Sequence, residues 1–328
     1  MAVQLDESYG LYINGRFTPA SDGATFDTIN PATGRSLARC AEATKEDVDA
    51  AVSAAWAAFP AWKATQPAER ASILLKIADI IDANADLLAE VETLDNGKPI
   101  RETKAVDVPF ASDHFRYFAG AIRTEEGSAS VLDGNFLSLT LRDPIGVVGQ
   151  IVPWNYPFMM LVWKVGPALA AGNTIVLKPS ETTPESALVF ARIAGRILPD
   201  GVLNLVLGDG TTGGLMASHR VPGLVALTGS VRAGSDLAAH AAGRLTRVHL
   251  ELGGKAPVIV FDDADLEAAA EGIAVAGLFN AGQDCTAATR VLVSRAVAEE
   301  LTAALVRRAE TLRTGPIPEE EAFFGPLN

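Results

Sequence analysis

The stretch FNAGQDCTAATR centres on Cys285, one of two cysteines in 328 residues. A thiol becomes a strong nucleophile when a helix N-terminus, a cation or a base lowers its pKa; without such neighbours it is a small packing residue. The preceding Ala281-Gly-Gln-Asp breaks the helical pattern and could present the sulfur on a turn. Thirty-four positions earlier, Glu251 stands in VHLELGG, whose other residues read as a buried strand. A carboxylate at the end of an apolar strand is either ion-paired or tuned for proton transfer. Asn155 lies in PWNYP, directly after the apolar run VVGQIV, where two prolines stiffen the loop and fix the amide as a donor. Separately, these are a packing cysteine, a salt-bridged glutamate and a turn asparagine. Together they supply a nucleophile, a base and an oxyanion donor, the parts of acyl transfer. A dinucleotide beside them would turn that chemistry into oxidation of an aldehyde.

Two places suit a dinucleotide. Lys178-Pro-Ser180-Glu181 follows the run TIVLK, and the carboxyl end of a parallel strand is where open α/β sheets bind ligands. There a carboxylate can accept hydrogen bonds from ribose hydroxyls while the lysine donates. Thr228-Gly229-Ser230 ends LVAL and opens a helix, whose free N–H groups favour phosphate; Ser230 as a plain N-cap is the alternative. Gly208-Asp-Gly210-Thr-Thr-Gly213 fits GxGxxG, but the acidic residue expected about 20 positions later is missing. It reads equally as a cofactor loop and as an ordinary turn. Gly254-Lys255 fails as a phosphate loop, because His249 and Ala256 occupy the places where a glycine and a hydroxyl are needed.

The elements that must position these residues alternate. Lys45 to Phe59 and Pro67 to Val91 carry helical spacing, the second as one long helix. From Thr174 the order is strand TIVLK, helix TTPESALVFARIAG with Thr183 as its cap, strand VLNLVLG, helix TGGLMASHR, strand LVAL, helix VRAGSDLAAHAAG and strand RVHLEL. The cycle resumes with APVIVF, a helix from Asp265 to about Phe279, VLVS, and a helix from Val297 to Leu312. Strands alternating with helices of this length predict an α/β fold with a mostly parallel sheet. Gly253-Gly254 is the expected hinge, giving domains 1–252 and 253–328.

Composition narrows the class. A net charge of −13 argues against nucleic-acid and anionic-membrane partners, which are held by Lys and Arg. Cys40 and Cys285 make neither a disulfide framework nor a metal cluster, and the four histidines are scattered, so no metal is expected. Cys40 reads as packing. The start MAVQLDESYGLYING lacks a secretory pattern and no apolar run is long enough for a membrane span, so a soluble, cytoplasmic protein is expected.

PWNYP, WKVGPALAAGNTIVLKPSE, LTGSVRAG, LELGGKAPVIV and GQDCTAATR, with LYINGRF and NPATGR near the start, resemble the aldehyde dehydrogenase superfamily. The likeness runs along essentially the whole chain, and TGSVRAG and AGQDCTAATR look most like its γ-aminobutyraldehyde branch, which oxidises ω-aminoaldehydes and sits near betaine aldehyde dehydrogenases, so betaine aldehyde or another aldehyde is the alternative substrate. The resemblance implies a Rossmann-like NAD-binding domain, an incomplete α/β catalytic domain and an oligomerisation hairpin at about 128–142. It implies Cys285 as nucleophile, Asn155 with the Cys285 N–H as oxyanion holders, and Glu251 as the base for thioester hydrolysis. Lys178 and Glu181 would hold the adenosine ribose, and Glu181 would favour NAD over NADP. Val152, Pro153, Trp154, Ser180, Gly210, Gly229, Ser230 and Leu252 complete the implied cofactor site. Lys164 looks like a family lysine near the site. A cationic aminoaldehyde would need acidic groups, for which Asp284, Asp107 and Asp113 are candidates. Family members run further than Asn328, so a truncated, impaired chain acting as a binding or subunit-interaction module is the rival expectation. A CoA-acylating dehydrogenase is a narrower one, against which Glu251 argues. The resemblance also implies a homo-oligomer.

Overall fold

The computed structural model describes residues 5–315 and 322–328; MAVQ, the start of the segment that lacks a secretory pattern, lies outside them. Five short strands open the chain: β1 (Ser8–Tyr9), β2 (Leu11–Ile13), β3 (Arg16–Thr18), β4 (Thr25–Asn30) and β5 (Arg35–Ala41). Strands β1, β5 and β4 make a small sheet, whereas β2 and β3 leave it to join the main one. A helical layer follows. Its first helix, α1 (Lys45–Ala64), starts at a reciprocal Thr44–Asp47 capping box, which satisfies two N–H groups that would otherwise lack partners. The expected single helix from Pro67 is two, α2 (Pro67–Ala83) and α3 (Ala85–Asn96). Asn84 divides them: its N–H returns to Ile81 and its side-chain amide to Ile80, a local bonding mode that competes with helix continuation. Gly97, at φ +94°, ends α3, a conformation that costs glycine little. Then come α4 (Ile100–Glu102), a π-helical turn over Thr103–Asp107, and α5 (Val108–Ala121).

The hairpin β6 (Ser128–Leu132) and β7 (Phe136–Thr140) stands away from the body, with Val131, Phe136, Leu137 and Leu139 exposed. The alternating part then runs as expected: β8 (Val147–Ile151), α6 (Pro157–Ala170), β9 (Thr174–Lys178), α7 (Glu185–Ala194), β10 (Leu203–Leu205), α8 (Gly210–Ser218), β11 (Leu224–Gly229), α9 (Val231–Ala242) and β12 (Arg247–Leu252). Among the described residues these strands form one sheet in the order β12-β11-β8-β9-β10-β2-β3, parallel except where β2 and β3 close it antiparallel. Helices on both faces bury β9 completely, which is why its residues form an unbroken apolar run rather than an alternation. The chain moves outward from β8 in one direction through β9 and β10, then returns to place β11 on the other side. The β8–β11 junction is therefore a topological switch point. The last elements are β13 (Ala256–Val260), α10 (Leu266–Leu278), β14 (Ala288–Val293) and α11 (Ala298–Glu310). Here β13 and β14 pair in parallel with each other in a separate sheet, and α10 and α11 cover one of its faces through Ile273 and Leu301.

GxGxxG follows β10 and runs into the start of α8, as expected, and Gly208, at φ +139°, leaves no room for a Cβ beside the Thr212 hydroxyl. Two of the elements differ from expectation in detail. Thr183 does not cap α7; its hydroxyl is buried without a hydrogen-bond partner. The second, β12, is not a buried strand. It pairs on one side only, with β11, and stands at the sheet edge. Leu250 and Leu252 pack with Leu237 of α9, while His249 and Glu251, on the opposite face by the period of two, are exposed.

Candidate active site

Residues 152–156 connect β8 to α6 across the switch point, and each end of this loop is tied down. The Val152 N–H donates to the Lys178 carbonyl at the end of β9 (3.1 Å). From below, the Asn96 side-chain amide donates to the Trp154 carbonyl, and from above the Asn280 amide donates to that of Asn155, both at 2.7 Å. Neither asparagine was legible as a site residue, since both act across more than fifty positions of sequence; the signal was an amide beside a glycine turn. Asn155 in turn donates from Nδ2 to the Gln283 carbonyl at 2.8 Å. One of its two N–H bonds thus holds the cysteine loop, leaving the other for a reacting oxygen.

That loop is made by a short 3₁₀ turn over Phe279–Gly282, in which Asn280, Ala281 and Gly282 take φ of +51°, +57° and +74°. Three successive left-handed residues reverse the chain after α10 and bring Cys285 out exposed before β14. Asn and Gly adopt this conformation readily, whereas Ala costs roughly 1 kcal/mol there. Asp284 is fixed from two sides: Oδ1 accepts from the Thr286 N–H (2.7 Å) and hydroxyl (2.8 Å), and Oδ2 accepts from the Tyr156 hydroxyl (3.1 Å). Burial first, then the Asp284 carboxylate, push the Cys285 thiol above its ordinary value. At neutral pH the resting group is accordingly the thiol, and it needs a base.

Glu251 supplies one candidate. It lies at the end of β12 with His249 Nε2 at 3.3 Å from its Oε1. Close approach of this strand to the cysteine loop is evident at Gly254, where a Cβ would lie 3.2 Å from the Cys285 carbonyl oxygen. The Glu251 charge acts on Cys285 and also on Lys164 of α6. Burial pulls that lysine down to about 8, against the attraction of Glu251. Cys285, Asn155, Glu251 and Lys164 thus share one neighbourhood at the carboxyl end of the main sheet, Asn155 through its bond to the cysteine loop and Glu251 through its charge.

The expected dinucleotide residues line the neighbouring strand ends. Lys178 Nζ, almost fully buried, pairs with Glu181 Oε2 at 3.1 Å, while Glu181 remains half-exposed. Ser180 is buried, its hydroxyl 3.2 Å from that of Thr182. Ser230 caps α9 by accepting from the Ala233 N–H (3.1 Å), so the plain N-cap is real; the first N–H groups of a 12-residue helix stand beside it. Gly229 ends β11, and Gly210 opens α8 with free space above it. Leu252 lies so close to Gly234 that a Cβ there would meet its side chain at 2.6 Å, which seats β12 on α9. A cavity of about 490 Å³ adjoins this region, lined by Glu181, Thr182 and Asp209 on one side and Phe26 and Ile29 on the other.

Residues 17–328 match the model of the aldehyde dehydrogenase family. The chain belongs to that family. An aldehyde dehydrogenase of Paracoccus denitrificans is 42% identical over 332 residues, covering 99% of this chain and 65% of the relative. One from Deinococcus radiodurans is 44% identical, covering 95% and 62%. The chain therefore spans somewhat under two thirds of the length of these curated relatives. An aldehyde dehydrogenase from Bacillus cereus, solved in complex with NAD+, superposes with a TM-score of 0.96 at 42% identity, over 99% of this chain and 67% of that one. One acidic candidate is removed: Asp107 is buried in an ion pair with Lys98 (3.0 Å, both 1% exposed) and cannot face a substrate. Asp113 is exposed and Asp284 adjoins the thiol.

Proposed function

We propose that the site oxidises an aldehyde to a carboxylic acid with NAD, and that the aldehyde is a short ω-aminoaldehyde such as 4-aminobutanal. The observation that supports this reading is the bond from Asn155 to the loop of Cys285, on which the Glu251 charge also acts, with the Lys178–Glu181 pair at a neighbouring strand end. Cys285, once deprotonated, attacks the carbonyl carbon and forms a thiohemiacetal. The free Asn155 N–H and the Cys285 backbone N–H hold the oxyanion; one such donor is worth about 3 kcal/mol of barrier. Bound NAD supplies the hydride acceptor, and loss of hydride leaves a thioester on Cys285. Glu251 takes a proton from the water that attacks the thioester, releasing the acid and restoring the thiol.

The residues present suit the dinucleotide. Lys178 and Glu181 offer a donor and acceptors for ribose hydroxyls, and the half-exposed Glu181 carboxylate repels a 2′-phosphate, favouring NAD over NADP. Ser180, Gly210, Gly229, Ser230 and Leu252 shape the strand ends around it, and Val152, Pro153 and Trp154 the loop toward Cys285. The aminoaldehyde reading rests on Asp284 and Asp113, both able to meet a cation. We place the boundary between cofactor and catalytic domains at Gly253-Gly254, in keeping with the separate β13–β14 sheet, and assign hairpin β6–β7 to self-association. Two free cysteines suit the reducing cytoplasm.

A second reading is favoured by the outer face of β13 and β14, where Ile259, Phe261 and Leu292 are exposed: a chain that binds cofactor and associates with further protein without turning over. NADH formation with NAD and 4-aminobutanal, propanal serving as comparison, separates the two. Turnover favouring the aminoaldehyde and abolished by Cys285→Ala, with NAD binding retained, supports the first; NAD binding without turnover supports the second.

A further inference from the structure

Asp284 is held more firmly than a surface aspartate beside a nucleophile needs to be. Three neutral donors, from Tyr156 and Thr286, fix both carboxylate oxygens, so the charge stays on the residue preceding Cys285 and cannot swing into solvent. The surrounding charges do not cancel it. Lys98 lies 4.2 Å from the centroid of the Tyr156 ring but is committed to Asp107. Asp107 stands behind Tyr156 as a further acidic group, with the Glu102 carboxyl, which burial raises to about 7, beside it. From β12, Glu251 adds its own negative charge, and Lys164 of α6 faces Glu251.

We propose that Asp284 restrains the Cys285 thiol in the empty site, and that a cationic aldehyde releases it by pairing its ammonium with the Asp284 carboxylate. The idea rests on the reading of Cys285 as nucleophile and of an ω-aminoaldehyde as substrate. A carboxylate beside a thiol opposes formation of the thiolate, and an added cation removes that opposition. In an ω-aminoaldehyde the ammonium is tethered to the carbonyl under attack, so the releasing charge and the electrophile arrive together. A neutral aldehyde of equal length brings only the electrophile. Selectivity for amino-substituted substrates then lies partly in the reactivity of the sulfur, in addition to affinity. Tyr156 and Thr286 are positioning residues in this scheme, because they act through Asp284.

Alkylation of Cys285 tests this without requiring turnover. The rate with iodoacetamide is followed against pH for the wild type and Asp284→Asn, with peptide mass spectrometry separating Cys285 from the buried Cys40. Asp284→Asn should move the profile to lower pH. A fall of one unit gives about tenfold more thiolate, each thiolate being about threefold less nucleophilic, so the rate at pH 7 rises roughly threefold. Adding n-butylammonium chloride should accelerate the wild type toward the variant and leave the variant unchanged, while sodium chloride at equal ionic strength and n-butanol do neither. In the unmodified protein, iodoacetate should react more slowly than iodoacetamide, and butylammonium should narrow the gap, so the result does not depend on the variant folding. An unmoved pH profile in Asp284→Asn, or equal acceleration of both proteins by butylammonium, overturns the proposal. Neither result touches the oxidation itself, which is read separately from NADH formation and from its loss in Cys285→Ala.

Discussion

Beneath the Asn155 loop, Glu92, Asp95, Lys98, Glu102, Asp107 and Glu185 are all buried, whereas Glu251 and Cys285, the groups proposed to do chemistry, lie exposed. The first region contains five carboxyls and a single lysine, and burial outweighs that lysine's attraction: Glu92 and Glu102 are each raised to about 7 by desolvation. Asp95 is raised too, by burial and by Glu185, which itself rises to about 7. Both Glu102 oxygens lack a hydrogen bond among the described residues, with Arg101 3.8 Å away. The second region is more open: Glu251 and Cys285 are exposed, although partial burial still raises the Cys285 thiol. Its groups are placed by backbone, by strand β12, the left-handed turn and the asparagine bonds. The comparison separates support from reactivity. The layer that anchors the loop is closed and costly to bury, while the reactive atoms sit on a lightly packed edge that a ligand can reach.

The largest effect should come from breaking the closed region. Phe190 is fully buried and contacts Phe115 and Phe158, each with ring centroids 6.0 Å away. Phe190→Ala should cost about 4 kcal/mol in urea unfolding; a loss below 1 kcal/mol would mean that this core does not carry the fold. Next, Glu102 sharpens the electrostatic half of the contrast. Its folded carboxyl keeps a proton up to about pH 7, whereas the unfolded chain releases it near pH 4.5. The folded state therefore binds more protons between these values, so stability falls as pH rises through that window. Glu102→Gln should be neutral at pH 4 and stabilising by roughly 3 kcal/mol at pH 8. An equal effect at both values would remove the buried charge as the cause.

The sequence disclosed the alternating part of the fold because β9 and its neighbours are buried on both faces and their patterns are local. It misled at β12, although RVHLEL already alternates polar and apolar residues, the mark of a half-exposed strand. The N-terminal strands were illegible for another reason: β2 joins the main sheet by pairing Tyr12 with Leu205, a partnership that no local pattern encodes. In the site, Cys285, Asn155 and Glu251 stood out by chemical type. Their supports did not, since the Asn280 amide meets Asn155 across 125 positions and Tyr156 meets Asp284 only once both loops are folded.

The exposed region should respond more weakly, and in the opposite sense where backbone strain is involved. Ala281 adopts φ +57°, where its Cβ is crowded and glycine is not. Ala281→Gly relieves that crowding at the expense of some unfolded-state entropy, a net gain of roughly 0.5 kcal/mol by urea unfolding. Destabilisation by more than 1 kcal/mol would instead show that the Ala281 side chain packs productively.

The smallest effect on stability is expected at Phe261, which follows β13 and is 66% exposed. A side chain that gains little burial on folding has little to lose, so Phe261→Ser should change unfolding by no more than about 0.5 kcal/mol. Its apolar surface, together with Ile259 and Leu292 on the same sheet, should show itself in association rather than in folding. Light scattering of wild type and variant at rising concentration reads this directly. Reduced self-association at unchanged stability identifies the β13–β14 face as an interacting surface. A loss of several kcal/mol with unaltered association would mean that the edge is packed more tightly than its exposure implies, and the contrast with the closed layer would fail.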